Sequence, residues 1–202
     1  MENRTGSLTR TFDRVCGLLT DRGYLSPDGQ VTKAGRTLSR IWAETDLLVA
    51  ECLRRGVWDG LSPSELAAAA SILVYEARRD TDDRASVPRG PVGDAVEETL
   101  RLWGEVESDE AARGLQLTRE PDLGFVWPVY RWARGEALPK VLSSVHGLDT
   151  EMPAGDFVRW CRQVIDLLGQ LAEASGDTPL RDTARQAMDD MRRGVLAYSS
   201  LA

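Results

Sequence analysis

The sequence predicts an all-α fold, a helical bundle with a small β-hairpin near the N-terminus. Three observations carry that expectation. Apolar residues recur at three- and four-residue steps in segment after segment, which is the pattern of helices that bury one face. Helix punctuation bounds these segments, for instance Ser62-Pro63-Ser64-Glu65 ahead of one helix and Gly56 behind another. Only Tyr24 to Val31 carries strand-and-turn character. The chain has 202 residues, of which 42% are hydrophobic, so it can bury a core of its own as one large domain or two small ones. About eight to ten helices are expected.

Taken in order, Leu8, Phe12, Val15 and Leu19 mark one face of a first helix, which Gly23 is placed to end. Two short strands are expected around the Pro27-Asp28-Gly29 turn. Thr32 then caps a second helix that carries Leu38, Ile41 and Trp42 inward. This helix-hairpin-helix order in residues 1–44 suits the wing end of a winged-helix domain, and residues 45–202 read as a helical bundle joined to it in one compact unit.

The bundle opens with a helix capped by Thr45 or Asp46, running through Leu48 and Cys52 to Gly56. After the corner at Val57 to Leu61, the Ser62–Glu65 capping box starts an alanine-rich helix carrying Leu66, Ala69, Ala70, Leu73 and Val74. Arg78 to Pro91 reads as a mobile loop. Val96, Leu100 and Trp103 give a helix over residues 92–103, and a second is expected over 111–117. Leu123 to Gly135 is the most aromatic stretch; Pro128 requires its helix to begin near Val126 or to kink. At helical spacing those aromatics are expected in the core. A short helix over 138–145 precedes His146, to which a structural role is given. Two last helices, over 155–174 and 178–199, are joined by Ser175-Gly176-Asp177, short enough to make them antiparallel.

Composition excludes several chemistries. Cys16, Cys52 and Cys161 are scattered, each on an apolar pattern, and read as small core residues. With His146 the only histidine, neither a histidine-rich zinc site nor a histidine-based triad has its parts. Phosphate loops, dinucleotide fingerprints and nucleophile elbows are absent. The adjacent acidic pairs, such as Asp82-Asp83 and Asp189-Asp190, do not converge on one point of a helix and read as solvated faces. No apolar run reaches the roughly 18 residues of a membrane span, so a soluble, cytoplasmic protein without a membrane partner is expected. A net charge of −7 argues against a general polyanion-binding surface, while leaving room for a local channel.

The helix over 155–174 holds the candidate site. Phe157, Trp160, Cys161, Val164, Leu168, Leu171 and Ala172 form its buried face, widened by Val158, Ile165 and Leu167. What is left is a narrow polar stripe: Arg159, Gln163, Asp166 and Gln170, with Arg162 beside it. An ordinary solvated stripe favours Glu–Lys pairs at such spacing. This one presents guanidinium, amide, carboxylate and amide in a row, all groups that make directional hydrogen bonds.

The order of motifs resembles a known family. Asp46-Leu-Leu-Val-Ala-Glu-Cys-Leu, Gly56-Val-Trp-Asp-Gly-Leu-Ser-Pro-Ser-Glu-Leu-Ala-Ala and Val74-Tyr-Glu76 come first. Val129-Tyr-Arg-Trp-Ala-Arg-Gly135, Gly155-Asp-Phe-Val-Arg159 and the ending Arg193 to Leu201 follow. Together they resemble the DSHCT domain, the C-terminal helical domain of exosome-associated DExH-box RNA helicases and bacterial HelY-type helicases. The resemblance implies an accessory domain beneath two RecA-like motor domains, with a ratchet helix that meets single-stranded RNA. ATP and Mg²⁺ are then expected only in those motor domains, and no cofactor in this chain. The matching helix is the one over 155–174. Where the family commonly sets an arginine and an acid three residues apart, this sequence has Gln163 and Asp166; Arg159, one turn earlier, offers a partial substitute for the missing guanidinium.

Two rivals from other classes accompany that reading. One is a winged-helix DNA-binding regulator with a helical dimerisation or ligand domain, opposed by the lack of room for a recognition helix ahead of Leu8. The other is a protein-interaction scaffold that contacts a motor and never touches nucleic acid.

Overall fold

The computed structural model describes residues 2–77, 85–144 and 152–198. Their helices are α1 (Glu2–Asp21), α2 (Lys33–Leu38), α3 (Asp46–Arg55), α4 (Pro63–Ser71), α5 (Pro91–Ala112), α6 (Val126–Ala133), α7 (Leu138–Leu142), α8 (Ala154–Ala174), α9 (Pro179–Met191) and α10 (Val195–Tyr198). A 3₁₀ turn, Leu123–Phe125, leads into α6. No described helix is long and apolar enough to cross a membrane.

The bundle is arranged around α4. Pro63 takes its first position, and the Ser62 N–H donates to the Glu65 carboxylate at 2.8 Å, closing the capping box. Leu66 and Ala67 to Ala70 are fully buried, so the middle of the helix has no solvent face. A helix apolar all round is stable only where neighbours surround it. Methyl-sized side chains let α5, α6, α8 and α9 all pack against it. Between α8 and α9 the short connection gives the expected antiparallel pair, and α9 starts at Pro179 after Thr178.

Aromatic residues fill the space between α4, α6 and α8. Tyr75 stacks on Phe125, Phe157 meets Phe125 and Trp132 edge-on, and Trp160 meets Tyr75. Phe125 and Trp132 are therefore core, as their spacing predicts. Pro128 lies in the first turn of α6, where no intrahelical donor is required of it.

Residues 21–51 are tied to the bundle by a buried ion cluster. Glu51 is completely buried; it accepts from Tyr24 Oη at 2.8 Å, pairs with Arg54 at 2.7 Å and lies 3.3 Å from Arg22. Arg22 also reaches Asp109 on α5 at 2.7 Å. All three cysteines are free; Cys52 and Cys161 are buried and Cys16 half-buried.

Five expectations are corrected. The hairpin is not formed: one antiparallel bridge, Leu25 to Val31, closes the turn, because the segment is too short and has no third strand to extend it. The helices over 92–103 and 111–117 are replaced by the single α5, which continues through Gly104 to Ala112. The helix over 178–199 breaks at Arg192, where Gly194 takes φ +50 and the Arg193 guanidinium bonds to the Trp132 and Glu136 carbonyls. The break changes the helical phase, so Leu196 is buried and Val195 exposed. On α1, Leu8, Phe12 and Val15 face solvent, and Leu18 is the residue that enters the core. Trp42 does not point inward: α2 ends at Leu38, and the indole is 84% exposed. Residues 78–84 of the loop expected over 78–91, with Asp82 and Asp83, and His146 lie outside the described residues.

Candidate functional site

Helix α8 positions the stripe through its own amphipathicity. Phe157, Cys161, Val164, Leu168 and Leu171 are fully buried, which turns Arg159, Gln163 and Asp166 outward and leaves Gln170 half-buried. From Arg159 to Gln170 the stripe runs about 16 Å along the helix axis.

The structure divides the stripe into two parts. Gln163, Asp166 and Gln170 line one groove of about 410 Å³. The segment between α2 and α3 adds Trp42 and Glu44 to its lining, which Glu76, Arg119 and, from α8, Trp160 also join. Arg159 and Arg162 are not part of that lining. Arg159 sits beyond the groove with its guanidinium 4.5 Å from the centre of the Trp160 ring and 3.9 Å from Asp156. The cation–π contact holds the guanidinium over the indole that lines the groove.

Gln170 has a structural task. Its Oε1 accepts the Trp42 backbone N–H at 2.6 Å, while the Arg40 guanidinium donates to the Glu173 carbonyl at 3.1 Å. These two bonds fasten the segment carrying Trp42 to α8, so the exposed indole has a fixed backbone beneath it. Arg119 is likewise committed, donating to the carbonyls of Tyr75 at 2.9 Å and Leu73 at 3.2 Å. The groove therefore offers three carboxylates, an unengaged amide at Gln163 and a bare indole, beside a guanidinium whose terminal nitrogens face backbone oxygens. Such a lining accepts hydrogen bonds and stacks on flat rings; it does not neutralise phosphate.

Sequence reasoning missed Trp42 as a surface residue. The available signal was its distance from the α2 pattern: the Thr32 cap starts a helix of six residues, which does not reach position 42. A larger cleft of about 830 Å³ lies between α2, α3 and the start of α9, lined by Lys33, Arg54 and Thr183 among others, and includes no stripe residue.

Comparison with known proteins agrees with this architecture. The DSHCT (NUC185) domain matches residues 28–199. The chain is 48% identical over 207 residues to "Probable helicase HelY" of Mycobacterium leprae, a match spanning 97% of the chain and 22% of that protein. It is 24% identical to "DExH-box ATP-dependent RNA helicase DExH10" of Arabidopsis thaliana, over 91% of the chain and 19% of the relative. Against "ATP-dependent RNA helicase mtr4" of Schizosaccharomyces pombe the identity is 22%, over 89% of the chain and 16% of the relative. The chain thus spans less than a quarter of the length of these curated relatives.

Proposed function

The chain belongs to the DSHCT domain family, which in its helicase relatives is the C-terminal region, and on that premise we propose that it guides single-stranded RNA past α8 as an accessory domain of an ATP-dependent helicase. The observation that carries the reading is the open polar stripe. Gln163 and Asp166 face a groove instead of a neighbouring helix, with Arg159 at its end and an exposed tryptophan on its wall.

The division of labour follows from chemistry. Arg159, held over Trp160, meets phosphate or the face of a base. Gln163 donates and accepts, and Asp166 accepts from base or ribose donors. Gln170 acts through the segment it fastens, and Arg162 borders the track. ATP binding and hydrolysis belong to RecA-like motor domains elsewhere in such a helicase, which this domain contacts. A net charge of −7 keeps RNA affinity of the chain by itself low, so the motor supplies the cationic side of the channel.

The test is a helicase carrying this region. Replacing Arg159 and Gln163 together by Ala should weaken single-strand binding or slow unwinding, by about 1–3 kcal/mol where a base contact is lost. The region's melting temperature should hardly change, since both side chains face outward. Arg101→Ala on α5 is the control: its guanidinium is occupied by Glu98 and Glu105, away from α8. If both variants behave alike, the stripe is a solvated helix face.

A further inference from the structure

We infer that the groove beside Trp42 is a base-reading pocket. It takes one unstacked nucleobase on the Trp42 indole and selects bases that carry an exocyclic amino group over uracil. This deepens the RNA reading above and rests on it.

The platform comes first. A tryptophan that is 84% exposed gains nothing from burial in the fold, and most large apolar side chains of this chain are buried. Its backbone is nevertheless pinned, through the 2.6 Å bond from its N–H to Gln170 and the neighbouring bond from Arg40 to the Glu173 carbonyl. A fixed backbone under a bare indole suits stacking on a flat ring, because little backbone order remains to be imposed on binding. The groove at its side, about 410 Å³, has room for a single base.

The edge chemistry comes second. Glu44, Glu76 and Asp166 line the groove, and ionised carboxylates only accept hydrogen bonds. Cytosine and adenine present an amino group, and guanine presents an amino group next to a ring N–H, so each offers donors to such a wall. Uracil presents a single N–H flanked by two carbonyl oxygens, and those carbonyls face the carboxylates unfavourably. Arg119, the cation in this lining, does not reverse the balance, since its terminal nitrogens are held by the Leu73 and Tyr75 carbonyls. Phosphate is repelled from the same wall, so the backbone of a bound strand runs outside the groove, toward the Arg159 end.

The experiment uses the 202-residue chain labelled with ¹⁵N and titrated at low ionic strength with oligocytidylate, oligoadenylate and oligouridylate of equal length. NMR reads weak binding directly, and Trp42→Phe identifies the indole N–H signal. The expected result is that the Trp42 indole and the Gln163 side-chain amide shift together, saturating at several-fold lower concentration with C and A than with U. Trp42→Ala should weaken oligocytidylate binding on the order of tenfold. Asp166→Asn and Glu76→Gln should raise affinity for U more than for C, so that the preference narrows; a purely structural role for these carboxylates predicts no such narrowing. Oligonucleotides that shift Arg159 and Gln163 equally for all three bases, with Trp42 silent, overturn the base-reading pocket and leave RNA guiding intact. Trp42 silent in RNA but shifted on adding helicase motor domains assigns the indole to a protein contact and also overturns it. No shift with any oligonucleotide also overturns the base-reading pocket, while the RNA reading itself is decided by the Arg159 and Gln163 variant of the helicase.

Discussion

At the residue scale, the cluster around Glu51 shows what joins the N-terminal segment to the bundle. A carboxylate with no solvent exposure persists because two guanidiniums and the Tyr24 hydroxyl surround it. Glu51→Ala removes the carboxylate shared by Tyr24, Arg22 and Arg54, leaving the nearly buried Arg22 with Asp109 alone, and should cost about 3 kcal/mol. Arg54→Ala should cost distinctly less, as that side chain is 37% exposed and solvent shares its charge. Urea titration of the two variants checks the order. Burial also pushes the Cys52 thiol from 9.0 up to about 12 and raises Cys161, and burial with the Glu51 charge raises the Tyr24 phenol. The unfolded chain therefore ionises first as pH rises. The stability these groups contribute is complete below about pH 9 and is lost progressively above it, so the urea midpoint should fall between about pH 9 and pH 12. Cys52→Ala should flatten part of that fall. The cluster was not legible in the sequence, because Glu51 lies on α3 and Arg22 and Tyr24 in the turn after α1. Trp42 was misplaced for the opposite reason: an apolar residue three or four steps past a helical pattern fits its periodicity even after the helix has ended.

At the scale of elements, most of the fold could be read in advance because caps and periodicity agree there. The capping box of α4, the αL glycine after α3 and the narrow polar face of α8 each depend on residues adjacent in sequence. The misread elements depend on contacts made elsewhere. Helix α5 runs through Gly104 because its flanking turns are packed against α3 and α4. Helix α9 stops at Met191 because Trp132 receives Arg193: its guanidinium carbon sits 3.6 Å from the ring centre, and the indole Nε1 donates to the Met191 carbonyl at 3.0 Å. Two glycines separate these effects. A Cβ at Gly104 meets nothing within 4 Å, so Gly104→Ala should stabilise the chain by about 0.5–1 kcal/mol. At Gly194 the φ of +50 disfavours any side chain, and a Cβ would stand 3.1 Å from the Trp132 ring, so Gly194→Ala should destabilise. Opposite shifts in melting temperature are expected; shifts of the same sign would contradict the break at α10.

At the scale of the whole molecule, one surface remains to be explained. Helix α1 is held by its C-terminal half: Leu18 enters the core, Arg14 donates to the Gly114 carbonyl at 3.3 Å, and Asp21 pairs with Arg113. Its outer face carries Leu8 at 77% and Phe12 at 66% exposure, and Val15 also emerges there. The domain match begins at residue 28, after α1, whereas the similarity to HelY covers 97% of the chain and only 22% of that longer protein. A stripe of this kind fits contact with the remainder of such a helicase, the partner already proposed for the domain. The double substitution Leu8→Ser and Phe12→Ser separates the possibilities. In the 202-residue chain these side chains touch water, so its melting temperature should move little, by less than about 0.5 kcal/mol of stability for each change. In a helicase carrying this region, the same substitution should lower the melting temperature and speed amide exchange along α1, because two large apolar side chains leave a packed contact. A marked loss of stability in the short chain would mean that the face is already covered there. No effect in either setting would leave the stripe as exposed surface, and the motor contact would then have to lie on another face of the bundle.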